Sequence, residues 1–127
     1  MAKVLVIDDE LHITHVVALK LRNAGHEVET AGDGEEGYEL ASTGGFDLII
    51  TDIQMPYLTG IELAHKLAKS AELKHLPIIV LTARGYKLEQ EALEGTGIRI
   101  ILSKPFSPRE VLAHVEDILS QGKSKAA

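Results

Sequence analysis

The sequence contains no cysteine and few aromatic residues, and each of these features excludes a class of function. None of the 127 residues is a cysteine, so disulfides and thiolate metal sites are excluded and a cytoplasmic location is expected. Aromatic residues make up only 4% and tryptophan is absent, which leaves no stacking platform for single-stranded nucleic acid. The formal net charge is −6. Because such a protein repels phosphate backbones, we expect no direct nucleic-acid binding.

Long hydrophobic runs are also missing. No apolar segment approaches the roughly 20 residues of a membrane-spanning helix. The first apolar run, residues 4–7, meets Asp8 at once, which predicts neither a signal peptide nor membrane insertion. Apolar residues still make up 45% of the chain, enough for one domain with one sizeable core.

Short apolar runs alternate with helical patterns along the whole chain. The runs predict strands at residues 4–7, 48–51, 77–82 and 98–103, and the alternation at residues 27–30 predicts a weaker strand nearer the sheet edge. Helices are predicted between them and after the last strand, the least marked at residues 87–94. This alternation predicts an α/β fold, a doubly wound five-stranded parallel sheet with helices on both faces. Residues 1–121 are predicted to form one domain and residues 122–127 a flexible C-terminal tail.

Polar side chains follow the predicted strands. Asp8 and Asp9 follow the first strand, Asp52 the third, Thr82 ends the fourth, and Lys104 follows the fifth. Because the carboxyl ends of parallel strands share one edge, these groups are expected to converge. Converging carboxylates repel one another unless a cation offsets the charge, and Mg²⁺ suits oxygen ligands. A carboxylate beside Mg²⁺ and a lysine is placed to attack a phosphoryl group.

Taken singly, these residues have ordinary structural interpretations. An acidic pair before a helix usually compensates the helix dipole, and a lone Asp after a strand is usually a turn residue. The six histidines match no metal-ligand spacing: His12 and His15 lie three apart but have no third ligand. The functional interpretation therefore depends on the ordered set.

That ordered set resembles the signature of bacterial two-component response-regulator receiver domains of the chemotaxis-regulator type. The matching residues are Asp8-Asp9, Asp52, Met55-Pro56 with Gly60, Thr82-Ala83 and Lys104-Pro105-Phe106. The resemblance covers residues 3–121 and implies a flavodoxin-like sheet with strand order 2-1-3-4-5. It also implies a phosphorylation-dependent signalling switch that catalyses only its own phosphorylation and dephosphorylation, and so is not an enzyme in the usual sense.

By the same resemblance, Asp52 accepts a phosphoryl group from a phosphohistidine of a sensor histidine kinase or histidine phosphotransfer protein. Mg²⁺ is expected at Asp9, Asp52 and the backbone carbonyl of Gln54, with Asp8 reaching it mainly through water. Lys104 pairs with the acceptor and then with the phosphoryl group.

The resemblance assigns the switch itself to the two strands beyond the acceptor. Thr82 is the expected switch hydroxyl, Ala83 leaves space beside the phosphoryl group, and Pro105 is expected to follow a cis peptide bond. Where relatives often carry an aromatic residue, this chain has Ile101. The signal is therefore expected to travel through the backbone of the loop at residues 84–86.

The predicted output surface comprises the fourth helix, fifth strand and fifth helix. The downstream target is expected to be a protein partner or an effector domain missing from this chain. The sequence leaves open whether the chain is a stand-alone regulator, a phosphorelay intermediate or part of a larger protein.

Two other functions fit part of the pattern. A phosphohydrolase of the haloacid-dehalogenase type also combines Asp, Mg²⁺, Ser or Thr, and Lys. Its nucleophile belongs to the first strand, whereas here the isolated Asp52 lies mid-chain and the pair Asp8-Asp9 comes first. A degenerate receiver that binds partners without phosphorylation is disfavoured by the complete acid set together with Thr82 and Lys104.

Overall fold

The computed structural model describes residues 2–55, 57–83 and 90–126. Strands and helices alternate in the order β1 (Lys3–Ile7), α1 (Leu11–Asn23), β2 (Glu27–Ala31), α2 (Gly34–Thr43), β3 (Leu48–Asp52), α3 (Gly60–Ala68), β4 (Ile78–Thr82), α4 (Gln90–Leu93), β5 (Ile98–Ser103) and α5 (Pro108–Ala126). Within these described residues, no helix combines the length and the apolar character needed to span a bilayer.

All neighbouring strands pair in parallel, and the sheet order is β2-β1-β3-β4-β5. The predicted fold and strand order are therefore confirmed. Asp52 stands opposite Leu81, and Thr82 stands opposite Ser103. The residues that end β3, β4 and β5 consequently lie side by side at one edge of the sheet.

The sheet separates two apolar layers. Along β1, Val4 and Val6 face the layer with α1 and α5, whereas Leu5 and Ile7 face the layer with α2 and α3. Alternate side chains of a strand point to opposite faces, so a fully apolar strand supplies both layers. This burial on both sides explains why β1, β3 and β4 are continuous apolar runs in the sequence.

Helix starts follow the capping patterns of the sequence. The Asp33 carboxylate accepts a hydrogen bond from the Glu36 backbone N–H at 2.9 Å. Thr59 and Glu62 form a reciprocal capping box at the start of α3. These caps satisfy backbone donors that a helix leaves unpaired in its first turn. They fix the first residues of α2 and α3, which begin at the same edge of the sheet as the polar strand ends.

The last two helices can be compared with prediction only in part. α4 comprises Gln90–Leu93, within the predicted 87–94, and residues 84–89, with the loop at 84–86, lie outside the described residues. α5 continues to Ala126, past residue 121 where a polar tail was expected. Gly122 lowers the local helix propensity, but Gln and Lys favour a helix and no proline follows, so the sequence permits the continuation. The division into a domain and a flexible tail stays a prediction.

The loop between β3 and α3 holds a residue in a costly conformation. Tyr57 has a φ angle of +70°, in the left-handed region that side chains other than glycine rarely adopt. Its side chain is 78% exposed, so little burial offsets this cost. The loop is fixed beyond it, because the Gly60 N–H donates to the Ile53 carbonyl at 2.9 Å. Tyr57 is therefore a strained residue in the loop that follows Asp52, the expected phosphoryl acceptor.

Replacing Tyr57 by glycine should relieve that strain. We expect Tyr57→Gly to raise the free energy of unfolding by about 0.5 to 1 kcal/mol. Gly45→Ala is the opposite control, since Gly45 has a φ of +72° and open space around it, and it should destabilise by a similar amount. Urea unfolding of the three proteins measures both changes, and a less stable Tyr57→Gly would contradict the strain argument.

Candidate functional site

Asp8 is a buried carboxylate at the end of β1. Its side chain is inaccessible to solvent, and Oδ1 accepts a hydrogen bond from the Glu10 backbone N–H at 2.9 Å. The second oxygen, Oδ2, is buried and has no hydrogen-bond partner among the described residues. Burial raises the pKa of Asp8 to about 6, against the lowering effect of the Glu10 N–H bond and with a further rise from nearby Asp52.

Asp52 ends β3 and is also almost fully buried. Its Oδ1 accepts from the Ile53 backbone N–H at 2.9 Å, and its Oδ2 lies 3.9 Å from Lys104 Nζ. Burial raises the pKa of Asp52, while Lys104 and the Ile53 bond oppose the rise and the charge of Asp9 adds to it. One oxygen is thus held by the backbone, and the other faces the lysine beyond ordinary hydrogen-bonding distance.

Lys104 reaches the same place from the end of β5. The Lys104–Pro105 peptide bond is cis, as predicted. The Lys104 ammonium donates a hydrogen bond to Glu10 Oε1 at 3.2 Å. This distance is shorter than the 3.9 Å from Lys104 Nζ to Asp52 Oδ2. Partial burial lowers the pKa of Lys104, but the attraction of Asp52 and the Glu10 bond outweigh it, so the pKa is raised. The lysine therefore stays charged beside the acids.

Thr82 completes the row from the end of β4. It is buried, and the hydrogen bond that its hydroxyl donates within the described part of the chain is a long one, 3.5 Å to the Ala83 carbonyl. A hydroxyl held this weakly is available to a better acceptor. On the other side of Asp52, a Cβ on Gly60 would overlap the Asp52 backbone carbonyl, so only glycine lets α3 start this close to the acceptor.

The acidic groups can be compared with the needs of a metal ion. Carboxylate oxygens of Asp8, Glu10 and Asp52 lie within 4.8 Å of one another. Oxygen ligands and the unpartnered, buried Asp8 Oδ2 fit a hard divalent cation such as Mg²⁺. The cluster contains Glu10 where the sequence pointed to Asp9, which is exposed and lies outside the group.

The structure thus brings together Asp8, Asp52, Thr82 and Lys104, as the strand-end argument expected. Gln54 lies two residues after Asp52 and its side chain is exposed, which leaves its predicted role to the backbone carbonyl. Glu10 was missed as a member of the cluster. The sequence does show Glu10 as the third acid of the run that follows β1. The direction of the Glu10 side chain, however, depends on how α1 begins.

Comparisons with known proteins agree with this geometry. The family described as "Response regulator receiver domain" matches residues 4–116. Among curated relatives, the alkaline phosphatase synthesis transcriptional regulatory protein PhoP of Bacillus subtilis is 38% identical over 124 residues. This alignment covers 98% of this chain and 51% of PhoP. The chain therefore spans about half the length of the curated relatives it matches.

Solved structures show the same similarity in three dimensions. The chemotaxis response regulator CheY4 of Vibrio cholerae has a TM-score of 0.84 and 36% identity, covering 93% of this chain and 98% of that one. The response regulator TrrA of Thermotoga maritima, solved in complex with Mg²⁺-BeF, has a TM-score of 0.80 and 32% identity. That match covers 92% of this chain and 98% of TrrA.

The raised pKa of Asp8 predicts a pH-dependent stability in the absence of metal. A carboxyl group whose pKa is higher in the folded than in the unfolded state contributes more stability as the pH falls. In EDTA, the free energy of unfolding should therefore rise as the pH is lowered from 7 through about 6 towards 4. Asp8→Asn should be more stable than the parent at pH 7, by about 1 to 3 kcal/mol, and should show a shallower pH dependence.

Urea unfolding at a series of pH values measures both effects. Asp47→Asn is a suitable control, because Asp47 is an exposed carboxylate just before β3, at the opposite edge of the sheet. Its Oδ2 accepts from the Lys3 backbone N–H at 2.9 Å, and the asparagine amide oxygen can still accept that bond. A parent that becomes less stable between pH 7 and pH 5, or an Asp8→Asn protein no more stable than the parent, would contradict the electrostatic argument.

Proposed function

Because the chain belongs to the response regulator receiver family, we propose that Asp52 is its phosphoryl acceptor. Receiver domains act in phosphorylation-based signalling and are signalling domains, not enzymes with turnover. The donor is a phosphohistidine on a sensor histidine kinase or a histidine phosphotransfer protein. The reaction takes place in the cytoplasm.

One observation supports this proposal above the others. Asp52 is a buried carboxylate with one oxygen fixed by a backbone N–H and the other facing Lys104. A fixed carboxylate beside a cation is suited to nucleophilic attack on an anionic phosphoryl group, because the cation offsets the charge that is brought in. Turn formation alone would not explain a carboxylate buried beside a second buried acid.

We assign a Mg²⁺ ion to the edge of the sheet that carries Asp8, Glu10 and Asp52. Asp8, Asp9, Asp52 and the Gln54 carbonyl are the proposed ligands, and Glu10 is the further carboxylate that the geometry adds. When bound, the ion supplies positive charge that offsets the acids and the phosphoryl oxygens. Asp8 Oδ2 is the strongest support, since a buried anionic oxygen without a partner is costly.

The side chains of Asp52, Lys104 and Thr82 have separate roles in the proposed phosphoryl transfer. An oxygen of Asp52 attacks the phosphorus, the phosphorus–nitrogen bond to the donor imidazole breaks, and the imidazole leaves with that electron pair. Lys104 Nζ donates a charge-assisted hydrogen bond to one phosphoryl oxygen. Thr82 turns its hydroxyl from the Ala83 carbonyl to another. Both bonds exist only in the phosphorylated protein, so they shift a conformational equilibrium towards the active state.

The change is proposed to reach a partner through α4, β5 and α5. Thr82 and Lys104 lie at the end of β4 and just after β5, so movement at either group is transmitted first to those elements. Ile101 is half-buried against the layer of α2 and α3, and it offers no ring to report the switch. The proposed target is a protein partner or an effector domain.

Asp52→Asn should abolish phosphorylation, because the amide cannot form the acyl phosphate. Incubation of the parent with acetyl phosphate and Mg²⁺ should add one phosphoryl group, detected by intact-protein mass spectrometry. Asp47→Asn is the matched control and should be labelled like the parent. Labelling of Asp52→Asn to the parental extent would show that the acceptor is another residue, and continuous release of phosphate would favour a phosphohydrolase.

Thr82→Ala should accept the phosphoryl group but fail to transmit it, because the hydroxyl acts only after loading. Amide chemical shifts with and without beryllofluoride report the response, and the largest remote changes in the parent should fall between residues 84 and 102. Thr82→Ser, which keeps the hydroxyl, should retain them, whereas Thr82→Ala should lose most of them. Full remote changes in Thr82→Ala would contradict the switch role, and changes centred on α1 would move the output surface there.

A further inference from the structure

Glu10 lies beside the acceptor, and the function proposed above uses it only as a further carboxylate at the Mg²⁺ site. We propose that Glu10 is a positioning residue that holds the Lys104 ammonium away from Asp52 until a phosphoryl group arrives. This inference rests on the proposed function of Asp52 and Lys104. It concerns how the unphosphorylated site keeps its lysine and its acceptor apart.

The distances favour Glu10 as the resting partner of the lysine. Lys104 Nζ lies 3.2 Å from Glu10 Oε1, within hydrogen-bonding distance, and 3.9 Å from Asp52 Oδ2, beyond it. Asp52 is the more buried of the two carboxylates, and a buried ion pair would be screened less by water. Lys104 nevertheless donates to the more exposed acid.

The backbone of Glu10 is fixed, which makes its side chain a defined anchor. Its N–H donates to Asp8 Oδ1 at 2.9 Å, and its carbonyl accepts from the N–H groups of Ile13 and Thr14 in the first turn of α1. Glu10 is the N-cap residue of α1, yet its side chain makes no capping hydrogen bond. The carboxylate therefore does not cap the helix: its Oε1 accepts from Lys104 at 3.2 Å, and its Oε2 lies 3.8 Å from His12 Nε2, beyond hydrogen-bonding distance.

The consequence for the acceptor is direct. While Glu10 holds Lys104, Asp52 Oδ2 accepts no hydrogen bond from the described residues. Lys104 Nζ stays 3.9 Å away from it. The lone pairs of Oδ2 stay available for attack. Once phosphorylated, Asp52 carries additional negative charge, and the lysine must loosen its bond to Glu10 to reach a phosphoryl oxygen. Glu10 thus competes with the loaded state for the same ammonium.

Three variants separate this contact from simple charge. Glu10→Gln removes the charge and weakens the bond. Glu10→Asp keeps the charge but shortens the side chain by one methylene, so the bond to Lys104 is lost. Glu39→Gln is the control, an exposed glutamate on α2. Beryllofluoride affinity in saturating Mg²⁺, measured by NMR titration, reports how readily Lys104 moves to a phosphoryl-like group.

We expect both Glu10→Gln and Glu10→Asp to bind beryllofluoride about two- to fivefold more tightly than the parent, as for loss of a partly exposed ion pair. Glu39→Gln should match the parent. Tightening in Glu10→Gln alone would overturn the proposal and assign the effect to the field of the charge. Unchanged affinity in both Glu10 variants would also overturn it.

A second readout needs no loaded site. In a crystal structure of metal-free Glu10→Gln, Lys104 Nζ should move to within about 3.2 Å of Asp52 Oδ2. A lysine that keeps the parental separation of 3.9 Å would contradict the resting-partner role. A parent protein that binds no beryllofluoride would overturn the proposed function of Asp52, and this inference with it.

Discussion

The burial of two carboxylates at one edge of the sheet is the constraint on which the rest of this structure depends. Asp8 and Asp52 end neighbouring strands, both lie out of solvent, and burial raises the pKa of each. A stable fold does not need such a pair, because apolar residues in the same places would remove the cost. The acids are understandable as a site that a cation and a phosphoryl group complete.

The parallel sheet is what forces these groups together. Each strand must return to the same starting edge, so the ends of β1, β3, β4 and β5 all lie at the opposite edge. There Asp52 holds the central position, with Asp8 on one side and Thr82 and Lys104 on the other. A phosphohydrolase of the haloacid-dehalogenase type would place its nucleophile after the first strand. This chain places Asp8 there, buried and with no hydrogen-bond partner for Oδ2 in the described part of the chain.

The sequence predicted what depends on strand ends and local caps, and little that depends on side-chain direction. Asp52 and Thr82 were placed correctly because a buried strand and its end can be recognised from apolar runs. Glu10 was missed because the bond to Lys104 joins residues 94 positions apart. The positive φ angle of Tyr57 was also missed, since Tyr57 lies in the irregular loop before the capping box of α3.

The effect of Mg²⁺ on thermal unfolding tests the central claim most directly. If a cation offsets the negative charge of the buried acids, Mg²⁺ should raise the midpoint of thermal unfolding of the parent above its value in EDTA. At ten times the dissociation constant the gain is about 1.4 kcal/mol, and it should be much smaller in Asp52→Asn. The same midpoint in Mg²⁺ and EDTA, or an equal rise in parent and Asp52→Asn, would contradict the account.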